Sequence, residues 1–265
     1  MNLIEFFGLK IKPRITKGKG MWNPLNNQIC DGVICMRDKD VNCFLIKDTD
    51  GYIAIDSGYK NSRNIRAALT QFGISANEIK SVFLTHLDID HAGGMDIRSQ
   101  PVYPVEKIYL GAEEGKYLTG EYYRKKVLAH KCKLPIKLNS FTLLNDGESV
   151  SIGNYDIQAI YSIGHTLGHT TYIVNNKWLF SGDCIIANEN GGYCFYDFWN
   201  TDTKLNMLSL KKLEKLCSDL NIKKVFTAHS GVLSPKEAFR HKQETPNWRE
   251  KNFVFCQSAD INPYE

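Results

Sequence analysis

The chain has 265 residues, 43% of them hydrophobic and 23% charged, and a net charge of +4. This ordinary globular composition excludes a disordered or fibrous chain, and the length suits a single domain spanning residues 1–265. The charge is too mild to argue for a nucleic-acid face. Its densest basic cluster (Lys10, Lys12, Arg14, Lys17, Lys19) falls in a peripheral N-terminal segment, residues 1–20, and reads as solvated.

Eight cysteines at 30, 35, 43, 132, 184, 194, 217 and 256 form no C-x-x-C pair, so no zinc knuckle or ribbon is expected. Glu5 interrupts a short apolar start, unlike a signal peptide, and no run approaches a membrane span. The expected setting is a reducing cytoplasm, with free thiols, a small-molecule substrate, and no membrane or nucleic-acid partner.

In chain order, two apolar runs, Val41–Ile46 and Tyr52–Ile55, flank Asp48-Thr49-Asp50-Gly51, a hairpin signal. The second run ends in Asp56. A helix follows, capped by Asn61 or Ser62, with Ile65, Ala68, Leu69 and Phe72 on one face and a stop at Gly73. Lys80–Thr85 and Ile108–Leu110 read as strands. Residues 111–139 read as helix or loop above the sheet. Strands are expected near 148–152, 155–162, 171–175 and 178–181, with turns at Asn145–Gly147, Gly153-Asn154 and Asn175-Asn176. The spacing predicts a helix over 201–220, capped by Thr201 or Asp202, with Leu205, Leu208, Leu213, Leu216 and Leu220 buried. A strand over Ile222–Phe226 and a helix opened by the capping box Ser234-Pro235-Lys236-Glu237 follow. The tail from Glu244 to Glu265 shows no clear pattern.

Four apolar strands end in residues that bind metals. Ser81–Leu84 leads into Thr85-His86-Leu87-Asp88-Ile89-Asp90-His91, and Ile160–Ile163 into Gly164-His165-Thr166-Leu167-Gly168-His169. Trp178–Ser181 leads into Gly182-Asp183, and Val225–Ala228 into His229. Five of the seven histidines lie in these stretches. Surface histidines placed at random would not gather at strand ends, so the pattern points to a metal site.

In these residues, from Asp56 to His229, the chain resembles the metallo-β-lactamase superfamily, whose pattern is H-x-H-x-D-H followed by a distant His, an Asp and a His. The resemblance implies an αββα sandwich of two mixed β-sheets with helices on the outer faces and the site at one edge between the sheets. It implies that His86, Asp88 and His165 hold a first ion, that Asp90, His91 and His229 hold a second, and that Asp183 bridges them. It also implies a structural or supporting role for Asp56. His169 is expected to be structural.

Position 88 is Asp where most of that family has His. If Asp88 ligates, the first site becomes harder and more anionic, which moves preference from zinc toward iron or manganese without excluding zinc. If its shorter side chain falls short, a single ion remains at the second site.

Two divalent ions, zinc by family, would lower the pKa of a bridging water to roughly 7 and provide a hydroxide to attack a carboxylic ester, lactone or thioester. Asp90 is the expected catalytic residue, ligating and also handling the proton of the nucleophile. The aromatic stretch 193–199 offers Tyr193, Phe195 and Tyr196 as substrate-binding candidates, or as packing under the following helix. The segment Tyr117–Lys126 reads as a lid for an anionic substrate or as a solvated helix face. Cys184 reads as a small buried residue, and His130 and His241 as surface residues. The layout is nearest the lactonase and glyoxalase II-like branches.

The alternatives are a di-iron protein that binds or reduces oxygen or nitric oxide, resembling the flavodiiron core, or a phosphodiesterase. Flavodiiron proteins carry Glu at the position of Asp88 and normally add a flavodoxin domain, for which 265 residues leave no room.

Overall fold

The computed structural model describes residue 6 and residues 21–246, apart from 106, 128, 129, 133 and 135. The basic cluster Lys10–Lys19, Cys256 and most of the tail from 244 lie outside the described residues, as do the side chains of His130 and Cys132.

The first sheet begins with the antiparallel strands β1 (Gln28–Cys30), β2 (Val33–Asp38), β3 (Val41–Asp48) and β4 (Gly51–Ile55). Parallel strands β5 (Ile79–Leu84) and β6 (Lys107–Gly111) continue it. A separate hairpin of β7 (Lys125–Val127) and β8 (His130–Cys132) follows in the chain, and β9 (Thr142–Leu144) then closes the first sheet.

The second sheet runs β10 (Ser149–Ile152), β11 (Tyr155–Tyr161), β12 (Thr170–Val174) and β13 (Trp178–Phe180) antiparallel. The hairpin of β14 (Ile185–Asn188) and β15 (Gly191–Cys194) stands apart, and β16 (Lys224–Phe226) and β17 (Val232–Leu233) complete the sheet.

The period of two in the strands builds the layers. In β3, Phe44 and Ile46 face the second sheet, while Cys43 and Leu45 face the first helical layer. In β12 and β13, Tyr172, Val174, Trp178 and Phe180 enter the core between the sheets, while Ile173 and Leu179 face the other way. That central core is aromatic: Phe180 stacks on Phe226 at 4.9 Å, and Phe44 meets both. Helix α1 (Arg63–Gln71) covers the first sheet with Ile65, Ala68 and Leu69, joined by Tyr117 of α2 (Ala112–Thr119). Helix α3 (Thr203–Asp219) covers the second sheet with Leu210, Leu213 and Cys217. The chain is therefore an αββα sandwich of two mixed sheets.

Local signals and structure agree at several boundaries. Ser62 caps α1 by accepting from the Ile65 N–H, Gly73 follows its end at φ +68°, and Asn175-Asn176 both take positive φ in the β12–β13 turn. Ser234 opens the short helix α4 (Pro235–Ala238) with the full capping box.

The stripe of α3 is the main difference. Leu208 is 59% exposed, and Asn206 and Ser209 are buried in its stead. The polar residues face inward because they have partners there. Ser209 Oγ donates to the Ile163 carbonyl at 2.8 Å, and Asn206 Nδ2 donates to the Cys184 carbonyl at 3.4 Å. The segment 111–139 contains α2 and the β7–β8 hairpin.

Candidate metal centre

The loop after β5 is held from below by Asp56, which sits at φ +60° just past β4. Asp can adopt this left-handed conformation, and here its buried carboxylate is fully engaged. Oδ1 accepts the Thr85 N–H at 2.8 Å, and Oδ2 accepts from Thr85 Oγ and His91 Nδ1 at 2.9 and 2.8 Å. The Ser57 N–H and hydroxyl both donate to the His91 carbonyl at 2.7 Å. The chain then packs so closely that a Cβ on Gly94 would lie 2.1 Å from the Ser57 carbonyl oxygen. These contacts turn His91 Nε2 toward Asp183.

His165 is positioned from α3. A Cβ at Gly164 would lie 2.2 Å from the Asn206 nitrogen, so the absence of a side chain lets the loop rest on the helix start. His165 Nδ1 lies 3.3 Å from Asn200 Oδ1, and Thr201 Oγ1 donates to the His165 carbonyl at 2.9 Å. Glu114 of α2 ties this loop to the first one. Its Oε1 accepts the Leu87 N–H at 2.8 Å, and its Oε2 accepts the Thr166 hydroxyl at 2.6 Å. His169 supports rather than faces the site: its Nε2 accepts the Asp183 N–H at 3.0 Å, and its Nδ1 donates to Ser162 Oγ at 2.7 Å. His229 is fixed through Nδ1 to the Asp40 carbonyl, and Asn42 Nδ2 holds its loop through the carbonyls of Thr227 and Ser230.

Two buried clusters result, Asp90, His91, Asp183 and His229 in one and His86, His165 and Asp183 in the other. In each, one donor atom per residue lies within 4.8 Å of the others. Asp183 stands between them: Oδ1 is 3.1 Å from His91 Nε2 and 3.2 Å from His229 Nε2, while Oδ2 is 3.4 Å from His165 Nε2.

Both Asp183 oxygens, His86 Nε2 and His91 Nε2 are buried and make no hydrogen bond. Leaving such groups uncompensated costs about 1–3 kcal/mol each, so convergent bare N and O donors fit divalent cations.

The charges fit too. Burial and the neighbouring His91 pull His86 below its ordinary pKa, and burial with the Arg124 charge pulls His165 down to about 3. Both are then the neutral imidazoles that ligate metals. Burial also acts on His91, but Asp183, Asp56 and Asp90 outweigh it and raise its pKa well above the usual value. Burial likewise opposes ionisation of Asp183, yet His229, His91 and His165 hold its carboxyl well below the usual range.

Asp88 is engaged differently. Arg124 grips its carboxylate from two sides, with Nε 2.9 Å from Oδ1 and Nη2 3.0 Å from Oδ2. Asp88 Oδ2 lies 3.1 Å from His165 Nε2 and 3.6 Å from His86 Nε2, beside the donor clusters rather than within them.

Tyr193, Phe195 and Tyr196 are each 2% exposed and share a small apolar cluster with Met21 and Ile186. Phe195 reaches the centre, with its ring 4.9 Å from that of His165 and 5.6 Å from that of His229. Tyr193 stacks on His241 at 4.3 Å, so His241 is a packing residue as well as a partner of Glu244. A cavity of about 450 Å³ beside the centre is lined by Glu121, Tyr122, Tyr123, Arg124, Leu167, Asn200 and Thr201. The three aromatic candidates are not among these, whereas the segment 117–126 supplies four of them.

Arg124, Glu114, Asn200 and Asn42 carried no spacing signal in the sequence. Each acts across a long separation, and only a buried polar partner marks it.

A family model for the metallo-beta-lactamase superfamily matches residues 36–229, and the chain belongs to that superfamily. The metallo-beta-lactamase fold-containing protein ST1585 of Sulfurisphaera tokodaii is 30% identical over 205 residues, 72% of this chain and 73% of its own. The beta-lactamase-like protein 2 homolog of Caenorhabditis elegans is 26% identical over 72% of this chain. A hydroxyacylglutathione hydrolase of Legionella pneumophila is 28% identical over 66% of this chain. The chain spans only 56% and 58% of the length of these last two. Among solved structures, a metallo-beta-lactamase family protein of Thermus thermophilus shares the fold with a TM-score of 0.58 and 16% identity, over 82% of this chain and 78% of its own. Among the described residues no helix is long and apolar enough to cross a membrane.

Proposed function

We propose that the chain is a metal-dependent hydrolase of carboxylic esters, with lactones and thioesters the first substrates to test. The observation that carries this reading is the pair of buried donor clusters meeting at Asp183. His86, His165 and Asp183 would hold one divalent cation, and Asp90, His91, Asp183 and His229 another, zinc being the first candidate for these N and O donors. Such ions supply hydroxide at neutral pH and polarise a carbonyl oxygen.

The protein's own groups do the rest. Asp90, buried with Oδ2 3.3 Å from His229 Nε2, would hold the proton of the attacking water as well as ligate. Phe195 lays an apolar ring against His165 and His229. The cavity of about 450 Å³ beside Asn200 and Thr201 suits a small acyl compound. A relative named as hydrolysing hydroxyacylglutathione supports an acyl substrate. The proposed setting is the cytoplasm.

The test is a reactivity screen on protein reconstituted separately with zinc, manganese and iron. The zinc or manganese form is expected to open a lactone or cleave a thioester. The proposal fails if the protein retains iron alone, ignores esters and consumes oxygen. It also fails if only a phosphodiester is cleaved.

A further inference from the structure

Arg124, just before β7, is buried against the metal centre rather than exposed on a helix face. All three guanidinium nitrogens have partners. Besides Asp88, Nη2 donates to the Trp199 carbonyl at 2.7 Å and Nη1 to Thr201 Oγ1 at 2.8 Å. The remaining contact bears on the centre itself: Nη2 lies 3.1 Å from His165 Nε2. Guanidinium nitrogens only donate, so that contact uses the imidazole lone pair. The same nitrogen is the one that His165 aims toward Asp183.

We propose that Arg124 is a built-in cation competing with metal for the first cluster. The second cluster, Asp90, His91, Asp183 and His229, holds a resident ion. The cluster of His86, His165 and Asp183 takes its ion only when the guanidinium withdraws from Asp88 and His165. This rests on reading the two clusters as a metal centre.

Four points lead to this. Arg124 neutralises Asp88, which leaves the first cluster with only the shared carboxylate of Asp183, whereas the second has Asp90 as well. A guanidinium stays charged under all ordinary conditions, so it cannot accommodate a nearby divalent ion by losing a proton; it has to move. Like charges repel most strongly where water is excluded, and Arg124 and the three donors of that cluster are all buried. Room for the move exists, because Arg124 also lines the adjoining cavity, whose wall includes the carboxylate residue Glu121.

The experiment is a zinc titration of chelator-stripped full-length chain, read by native mass spectrometry and by competition with a chromophoric chelator. The wild type is expected to take one zinc tightly and a second only at much higher free zinc. Arg124→Met, which keeps an unbranched apolar stem and removes the charge, should strengthen the second step by about 10-fold or more and leave the first unchanged. Two zinc ions bound with equal affinity by the wild type overturn the proposal. So does an R124M protein whose second step stays where it was. Should R124M not fold, the wild-type titration alone decides. A wild type that binds no zinc removes the metal centre, and this proposal with it.

Discussion

His91 Nδ1 donates to Asp56 Oδ2 over 2.8 Å, and the same carboxylate holds the Thr85 N–H and hydroxyl. One buried side chain thus sets the orientation of a donor imidazole and the end of the strand that leads to it. Partners of this kind are worth about 10–100-fold in metal affinity. Asp56→Asn should weaken zinc binding within that range while the far-ultraviolet circular dichroism stays unchanged. Unaltered affinity in D56N would reject the orienting role.

Asp183 faces both clusters, with one oxygen toward each. Asp183→Ala is expected to lose metal and hydrolysis together. Elemental analysis after dialysis checks this, and full metal content in the variant would show that Asp183 is not shared.

The raised pKa of His91 sets a pH dependence. Without metal the ring keeps its proton above the usual histidine range, held by Asp183, Asp56 and Asp90 against the effect of burial. A divalent ion needs the neutral ring, so binding should release protons to the buffer, and affinity should fall as pH falls. Calorimetry in buffers of different ionisation enthalpy measures the count; zero net release contradicts the expectation.

Glu114 has the opposite consequence for stability. Burial pushes its pKa up to about 7. Between the unfolded value near 4.5 and about 7, the folded chain keeps a proton that the unfolded chain has lost, so stability declines as pH rises through that window. The full cost above it is about 3 kcal/mol. Glu114→Gln can still accept from Leu87, and its advantage over the wild type should grow from near zero at the acid end to that figure at the basic end. Parallel urea titrations across the window read it, and identical slopes in the two proteins would exclude the effect.

On α3, Leu208 lies in solvent while Leu210 is fully buried against the second sheet. Leu210→Ala should cost about 2–5 kcal/mol. Leu208→Lys should stay within about 0.5 kcal/mol of the wild type. Equal losses from the two substitutions, measured by chemical denaturation, would restore the leucine stripe.

The strand-end histidines and aspartates, the hairpin before Asp56 and a helix cap at Asn61 or Ser62 were all readable in the sequence. Their causes are local: a strand repeats every two residues, a cap acts over three, and metal donors at a strand end sit together in the chain. The leucine spacing of α3 misled because helical periodicity shows hydrophobicity and not the hydrogen bonds that draw Asn206 and Ser209 inward.

Asp88 was the odd residue of the site in the sequence, but its partner could not be read there. Arg124 is 36 positions away in an aromatic and basic run that looks solvated when read alone. Glu114 joins Leu87 to Thr166 across similar gaps. A buried charge finds its partner through the packing of whole layers, and no local spacing records that. The sequence by itself put His and Asp side chains at four strand ends. The tertiary structure alone decided that a guanidinium already lies against two of these side chains.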